Sequence, residues 1–410
     1  MKKNPTKRKK IALFGHFDST NFGNESTLRS ILYHLRCFQP DAEVTIICTG
    51  PDTAAATYHV EAIPFAETFF KSWVPGNPLT KVIRKIFIGL PSELYRWFRG
   101  ISRLRRTDML IIPGTGLLTD AYGLFSWGPY NLLKWSLMAK LCRCKLLFVS
   151  VGAGPIDGQL GRYFVKSTLA LADFRSYRDS STMQCLERIG FPADRDPIYP
   201  DLVFSLPEAL IPHPNSERTA RPIVGLGVME YAGRYSVSGP EDATYANYLE
   251  SLVVFAKWLR ARGYGIRLLS GDTGDSHAWG EFRDLLGEPP STFDEKPVID
   301  EPIRSVEDLL DQIAGTDFVV ATRFHNVVLA LLSGKPVISI SFHHKCESLM
   351  SAMGLSVYCL DIRDVSADQL IQKFCALEAN ARKLKPMIGE KIGEFRKALD
   401  EQYLSIFQPG

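Results

Sequence analysis

The chain has 410 residues, 45% hydrophobic and 23% charged, with a formal net charge of +3. Its length exceeds one ordinary domain, and its composition is that of soluble globular proteins, which excludes disordered, fibrous and collagenous classes. No apolar run approaches the roughly 18 residues of a spanning helix. Eight cysteines without paired zinc-type spacing read as reduced, buried thiols of a cytoplasmic protein.

The first ten residues are basic, but the apolar run 11–14 is interrupted by Gly15, His16 and Asp18, too short for the apolar region of a secretory signal. Residues 1–110 carry 17 Lys and Arg against 9 Asp and Glu, and the remainder 31 against 36. The positive charge therefore marks a local surface and not nucleic-acid affinity.

Val- and Ile-rich runs, each followed by a glycine-containing turn and a helical pattern, predict βαβ units around parallel sheets. The first strand is predicted over residues 10–14, and Gly15 to Glu25 then opens a helix. Glycines and an exposed helix amino end suit an anion or polar ligand there, and equally a plain strand-to-helix turn. A second strand is predicted over 43–48.

Residues 81–106 are basic and amphipathic. Lys81, Arg84, Lys85, Arg96, Arg99, Arg103, Arg105 and Arg106 stand against the single acid Glu93, and Trp97, Ile101 and Leu104 recur at helical spacing. The pattern fits an interfacial helix on an anionic membrane or a lobe-packing helix with a basic edge.

Strands predicted over 109–112 and 145–150 lead into two further small-residue loops, Pro113-Gly114-Thr115-Gly116 running to Asp120, and Gly152-Ala153-Gly154-Pro155. Their shared position after strands puts backbone amides on one rim of a sheet. Between them, Trp127, Tyr130 and Trp135 fall at helical spacing with Leu132, Leu133 and Leu137, favouring core packing over stacking on sugars.

Four prolines within residues 206–222 predict a linker. Further strands are predicted over 223–228, 266–270, 317–321, 337–341 and 357–360, with Glu230 and Tyr231 at a strand exit where acceptor hydroxyls could bind. The expected organisation is an α/β chain with an amino-terminal Rossmann-like lobe over 1–205, a carboxy-terminal one over 223–380 and a helical extension over 381–410. The two lobes would face a cleft.

The strand over 317–321 ends in Arg323-Phe324-His325 at the start of an apolar helix. Arginine offers a planar fork for carboxylate or phosphate, and histidine exchanges protons near neutral pH. A pair that merely caps the helix fits the same residues.

Together with Gly334-x-Pro336, Ile340-Ser341 and Lys345, the Arg-x-His run resembles the hallmark of the polysaccharide pyruvyl transferase family. Asn21-Phe22-Gly23-Asn24-Glu25, Gly114-Thr115-Gly116, Gly152-Ala153-Gly154-Pro155 and Ser176-Tyr177-Arg178-Asp179 resemble its other motifs, in the expected order. Asn24 replaces the usual aspartate, Thr115 a glycine, Phe324 a leucine, and His343-His344 an approximate Asp-Pro.

The resemblance implies two Rossmann-like lobes similar to the GT-B glycosyltransferases and transfer from phosphoenolpyruvate, as co-substrate, to a saccharide or lipid-linked oligosaccharide. It implies no metal and no other cofactor. His325 would carry the proton, and Arg323 beside it would clamp the donor's carboxylate or phosphate. Arg178 and Lys345 would meet the donor's anionic groups, and Asn21, Gly23, Glu25, Gly114, Gly116, Asp120, Gly152 and Gly154 would line the substrates. A nucleotide-sugar glycosyltransferase of the same fold is the competing enzyme, and a non-catalytic scaffold the competing non-enzyme.

Overall fold

The computed structural model describes residues 8–17, 21–66, 89–121, 123–212, 221–231, 241–287 and 298–408. They form two compact units. One comprises Met1–Ser19, His34–Arg178 and Thr182–Ile198; the other comprises Thr20–Tyr33, Asp179–Ser181 and Tyr199–Gly410.

The first unit holds a parallel sheet of β1 (Lys10–Phe14), β2 (Glu43–Cys48), β3 (Glu61–Pro64), β4 (Met109–Pro113), β5 (Lys145–Val151) and β6 (Phe174–Tyr177), in the order β3-β2-β1-β4-β5-β6. Between these strands in sequence come α1 (Phe22–Phe38), whose residues up to Tyr33 belong to the second unit, α2 (Pro51–Tyr58), α3 (Leu90–Leu104), α4 (Pro129–Leu141) and α5 (Gln159–Ala170), with α6 (Ser180–Arg188) following β6. Central strands buried on both faces read as unbroken apolar runs; every residue of β4 is buried. The strand order reverses between β1 and β4, the place where such sheets bind ligands.

The second unit holds β7 (Ile223–Gly227), β8 (Gly265–Leu268), β9 (Phe318–Ala321), β10 (Val337–Ser341) and β11 (Cys359–Asp361), in the order β11-β10-β9-β7-β8. Its reversal lies between β7 and β9. Helices α7 (Glu241–Ala261), α8 (Ser276–Leu286), α9 (Val306–Ala314), α10 (Phe324–Leu332), α11 (His344–Ala352) and α12 (Ala367–Phe407) accompany it.

Several expectations change. The chain enters the second unit at Tyr199, ahead of the proline-rich stretch, because Asp201 caps a short 3-10 turn at Val203 N–H (3.0 Å) whose Phe204 packs edge-on against Phe395 of α12, centroids 5.0 Å apart. Ser205 also meets the Tyr403 hydroxyl of α12 at 2.8 Å. Of the expected linker, residues 213–220 lie outside the described residues. The carboxy-terminal extension has no boundary at 380: α12 runs unbroken through 41 residues, past Pro386, from a Ser366–Gln369 capping box. The early segment Thr20–Tyr33, expected in the first lobe, belongs to the second unit, where Arg29 pairs with Glu307 of α9.

Helix α3 also differs from its interfacial reading. Leu104 is buried, and Trp97 and Ile101 pack against the first unit's core, so the face expected to meet a membrane is a packing face. Gly100 allows the close approach to α4, since a Cβ there would meet Met138 at 2.5 Å. Residues 81–88 of that basic stretch lie outside the described residues. The eight cysteines are free thiols, but Cys37 and Cys375 are exposed. Among the described residues no helix is long and apolar enough to cross a membrane.

Candidate functional site

In the second unit, β9 ends at Ala321 and α10 begins at Phe324, so Arg323 takes the N-cap position. Its side chain does not cap the helix. It turns instead to Asp275, with Nε donating to Oδ2 at 2.9 Å and Nη2 to Oδ1 at 2.5 Å. Asp275 sits in the turn after β8, is fully buried, and also accepts the Glu230 N–H at 3.0 Å. Burial pushes the Asp275 pKa above its ordinary value, while Arg323 and the Glu230 N–H pull it down. The fork that the sequence reserves for a substrate anion thus holds a carboxylate of the chain itself.

The Asn21 loop meets the same turn. Asn21 Nδ2 donates to Asp272 Oδ2 at 2.9 Å, and the Phe22 N–H reaches the Gly271 carbonyl at 3.4 Å. Asn21 Oδ1 accepts the N–H groups of Gly23 (3.1 Å) and Asn24 (3.2 Å), capping α1. Asn24, which stands in place of an acid, thereby contributes its backbone. Gly23 lies against the His325 imidazole, and a Cβ on it would overlap Nδ1, Cγ and Cε1. Glu25 is buried in the first turn of α1.

Behind these groups, Asn326 is buried and donates to the Leu269 carbonyl at 3.1 Å. The Tyr248 hydroxyl joins Thr322 Oγ1 (2.8 Å) to the Met229 N–H (3.1 Å), tying the exits of β7 and β9 together. Lys345 lies over the rings of Phe324 and Phe342, 5.5 and 5.4 Å from their centroids, and Phe324 stands edge-on to His325. The replacement of leucine by Phe324 therefore puts an aromatic platform between His325 and Lys345. Asp272 and Asp275 escaped the sequence reading; the available signal was an Asp-rich turn following a strand.

In the first unit, the loops after β4 and β5 are joined by bonds from Gly114 N–H to Val149 (2.7 Å) and from Gly154 N–H to Leu118 (2.8 Å). Ser150 adopts φ +50 at an irregularity in the β5–β6 register, a bulge that redirects the strand into its loop. Arg178, just past β6, lies across Gly152: a Cβ there would be 2.6 Å from the guanidinium Cζ, Nε and Nη2. Gly116 faces open space. Thr115 is buried, and its hydroxyl has no hydrogen-bond partner among the described residues.

Asp120 does a structural job, its carboxylate accepting the N–H groups of Asp157 and Gly158 at 3.0 and 2.7 Å ahead of α5. Trp135 is core, and Tyr130 bonds Glu93 at 2.9 Å; the Trp127 side chain lies outside the described residues. No cluster among the described residues has the makings of a metal site.

The profile of a family described as Polysaccharide pyruvyl transferase matches residues 21–344. The amylovoran biosynthesis protein AmsJ of Erwinia amylovora is 20% identical over 416 residues, covering 94% of this chain and 96% of that protein. Among solved structures, Anabaena HepE in complex with UDP is 12% identical with a TM-score of 0.59, covering 97% of this chain and 100% of that one. Sucrose-phosphate synthase of Thermosynechococcus elongatus is 14% identical with a TM-score of 0.58, covering 98% and 99%. These likenesses show the two-sheet GT-B fold.

Proposed function

The chain belongs to the polysaccharide pyruvyl transferase family, and on that premise we propose that it transfers the pyruvyl group of phosphoenolpyruvate to a sugar as a ketal during exopolysaccharide or other cell-surface glycan synthesis. A role in such synthesis is supported by the relative that carries the name of an amylovoran biosynthesis protein. The reading places the reaction in the cytoplasm, with a saccharide or lipid-linked oligosaccharide as acceptor and no cofactor beyond the donor.

The observation that carries this reading is the seating of His325 against the backbone of Gly23, one residue from Arg323. A fixed imidazole suits proton transfer. In the proposed reaction a proton adds to the methylene carbon of phosphoenolpyruvate, leaving an oxocarbenium-like carbon that a sugar hydroxyl attacks. Phosphate then departs and a second hydroxyl closes the ketal. His325 handles the proton, Arg323 acts from the position Asp275 fixes, and Arg178 and Lys345 supply positive charge toward carboxylate and phosphate.

The test is incubation with phosphoenolpyruvate and a panel of free and lipid-linked saccharides, following phosphate release and product mass. His325→Gln should keep the fold and lose about 10²–10⁴ in rate. Near-wild-type turnover in that variant would reduce His325 to a structural role. Thermal stabilisation by a nucleoside diphosphate but not by phosphoenolpyruvate would favour a glycosyltransferase instead.

A further inference from the structure

Helix α3 carries a second apolar stripe besides the one it buries. Leu90, Leu94 and Phe98 follow one another at four-residue steps and are 60%, 64% and 70% exposed, although Trp97, Ile101 and Leu104 of the same helix face the core. Fixed apolar surface of this kind, repeated on one line of a helix, marks an interaction site more often than chance exposure does.

The stripe has aromatic neighbours. Glu93 on α3 receives the Tyr130 hydroxyl at 2.9 Å and the buried Lys134 ammonium at 2.9 Å, which locks α3 to α4. Around that anchor, exposed Phe125 touches the Tyr130 ring with centroids 5.4 Å apart, and exposed Tyr163 touches Phe164, itself 6.0 Å from Tyr130. The carboxyl end of α3 is basic: Arg103, Arg105 and Arg106 are exposed, with Arg103 meeting Glu61 at 3.3 Å.

We propose that this face of the first unit rests on an anionic lipid bilayer, with Leu90, Leu94 and Phe98 entering the interface and Arg105 and Arg106 meeting lipid phosphates. An apolar line on a projecting helix, flanked by arginines and aromatic rings, has the chemistry of a helix lying in the plane of the headgroups. Exposed Arg105 and Arg106 beside the stripe add attraction to an anionic leaflet.

Vesicle co-sedimentation of the full chain tests this independently of any donor chemistry. The chain should sediment with phosphatidylcholine vesicles containing phosphatidylglycerol, release with salt, and ignore phosphatidylcholine alone. The double change Leu94→Gln with Phe98→Gln, at exposed positions, should lower partitioning by at least about tenfold, as should Arg105→Glu with Arg106→Glu. Val357→Gln, exposed in the second unit, should change nothing. Equal binding to neutral vesicles, no binding to either, or wild-type binding by the Leu94 and Phe98 variant would overturn the proposal. So would self-association in solution that this variant abolishes, since the stripe would then be a contact between copies.

Discussion

Arg323 grips both carboxylate oxygens of Asp275, a residue with no solvent exposure, across a turn that follows one strand and an N-cap that follows another. The pair fixes the residue that precedes Phe324 and His325, so it sets where α10 begins. A buried ion pair of this kind is costly to break because the partner left behind is desolvated and unpaired.

Arg323→Lys should therefore be far from conservative, since one ammonium cannot reproduce a two-point fork. We expect weaker binding of phosphoenolpyruvate by calorimetry and a loss of about 1–3 kcal/mol in unfolding free energy. Asp275→Asn keeps the shape and removes the charge, and should lower donor affinity while the protein still folds. If that variant binds the donor as tightly as the parent, Asp275 does not position Arg323 for the reaction.

Gly23→Ala sets helix propensity against sterics. Alanine is better than glycine within a helix by about 1 kcal/mol, yet its methyl would overlap the His325 ring. The imidazole must rotate away, so turnover should fall by about 10² or more with the circular dichroism unchanged. Rate measurements near the wild-type value would show that the placement of His325 against Gly23 is unimportant.

Much of this was legible in the sequence because central parallel strands are apolar throughout. β1, β2 and β10 lie where the Val and Ile runs put them. β3 and β6 were missed because neither is a run of Val and Ile: β3 reads Glu-Ala-Ile-Pro with one residue buried, and β6 reads Phe-Arg-Ser-Tyr. Arg323 and His325 could be found because they directly follow a buried strand. Asp275 could not, since nothing in Gly271-Asp272-Thr273-Gly274-Asp275 distinguishes a solvated acidic turn from one buried under an arginine. On α3 the spacing of Trp97, Ile101 and Leu104 is correct for an apolar face, but periodicity cannot say which of two adjoining stripes turns inward.

Two glycines on the first unit's rim separate packing from ligand contact. At Gly152 an alanine methyl would press on the Arg178 guanidinium, so Gly152→Ala should displace the arginine and raise KM for phosphoenolpyruvate. At Gly116 nothing lies within 4 Å of the added carbon, so Gly116→Ala should leave the unfolding free energy within about 0.5 kcal/mol of the parent. A rise in KM for donor or acceptor in that second variant would come from substrate alone. Unchanged kinetics at Gly116 would remove it from the substrate surface.

Lys335 gives the folded protein a pH signature of its own. It is buried at the end of α10, where Nζ donates to the carbonyls of Ala314 at 2.7 Å and Thr316 at 2.6 Å, and burial brings its pKa down from 10.5 to about 8. Between those values the unfolded chain binds more protons than the folded one, so stability from this group rises with pH. Below pH 8 both states are charged and the burial penalty is fully felt; above about 10.5 neither is, and the penalty is gone. The neutral amine still donates two protons, so both carbonyl bonds survive. At about 1.4 kcal/mol per pKa unit the gain is at most on the order of 3 kcal/mol. Urea unfolding of the parent and of Lys335→Met at pH 7.5, 9 and 10 isolates it, because tyrosines that ionise in this range cancel in the comparison. The parent should gain on the methionine variant as pH rises; parallel curves would mean that Lys335 keeps an ordinary pKa in the folded protein.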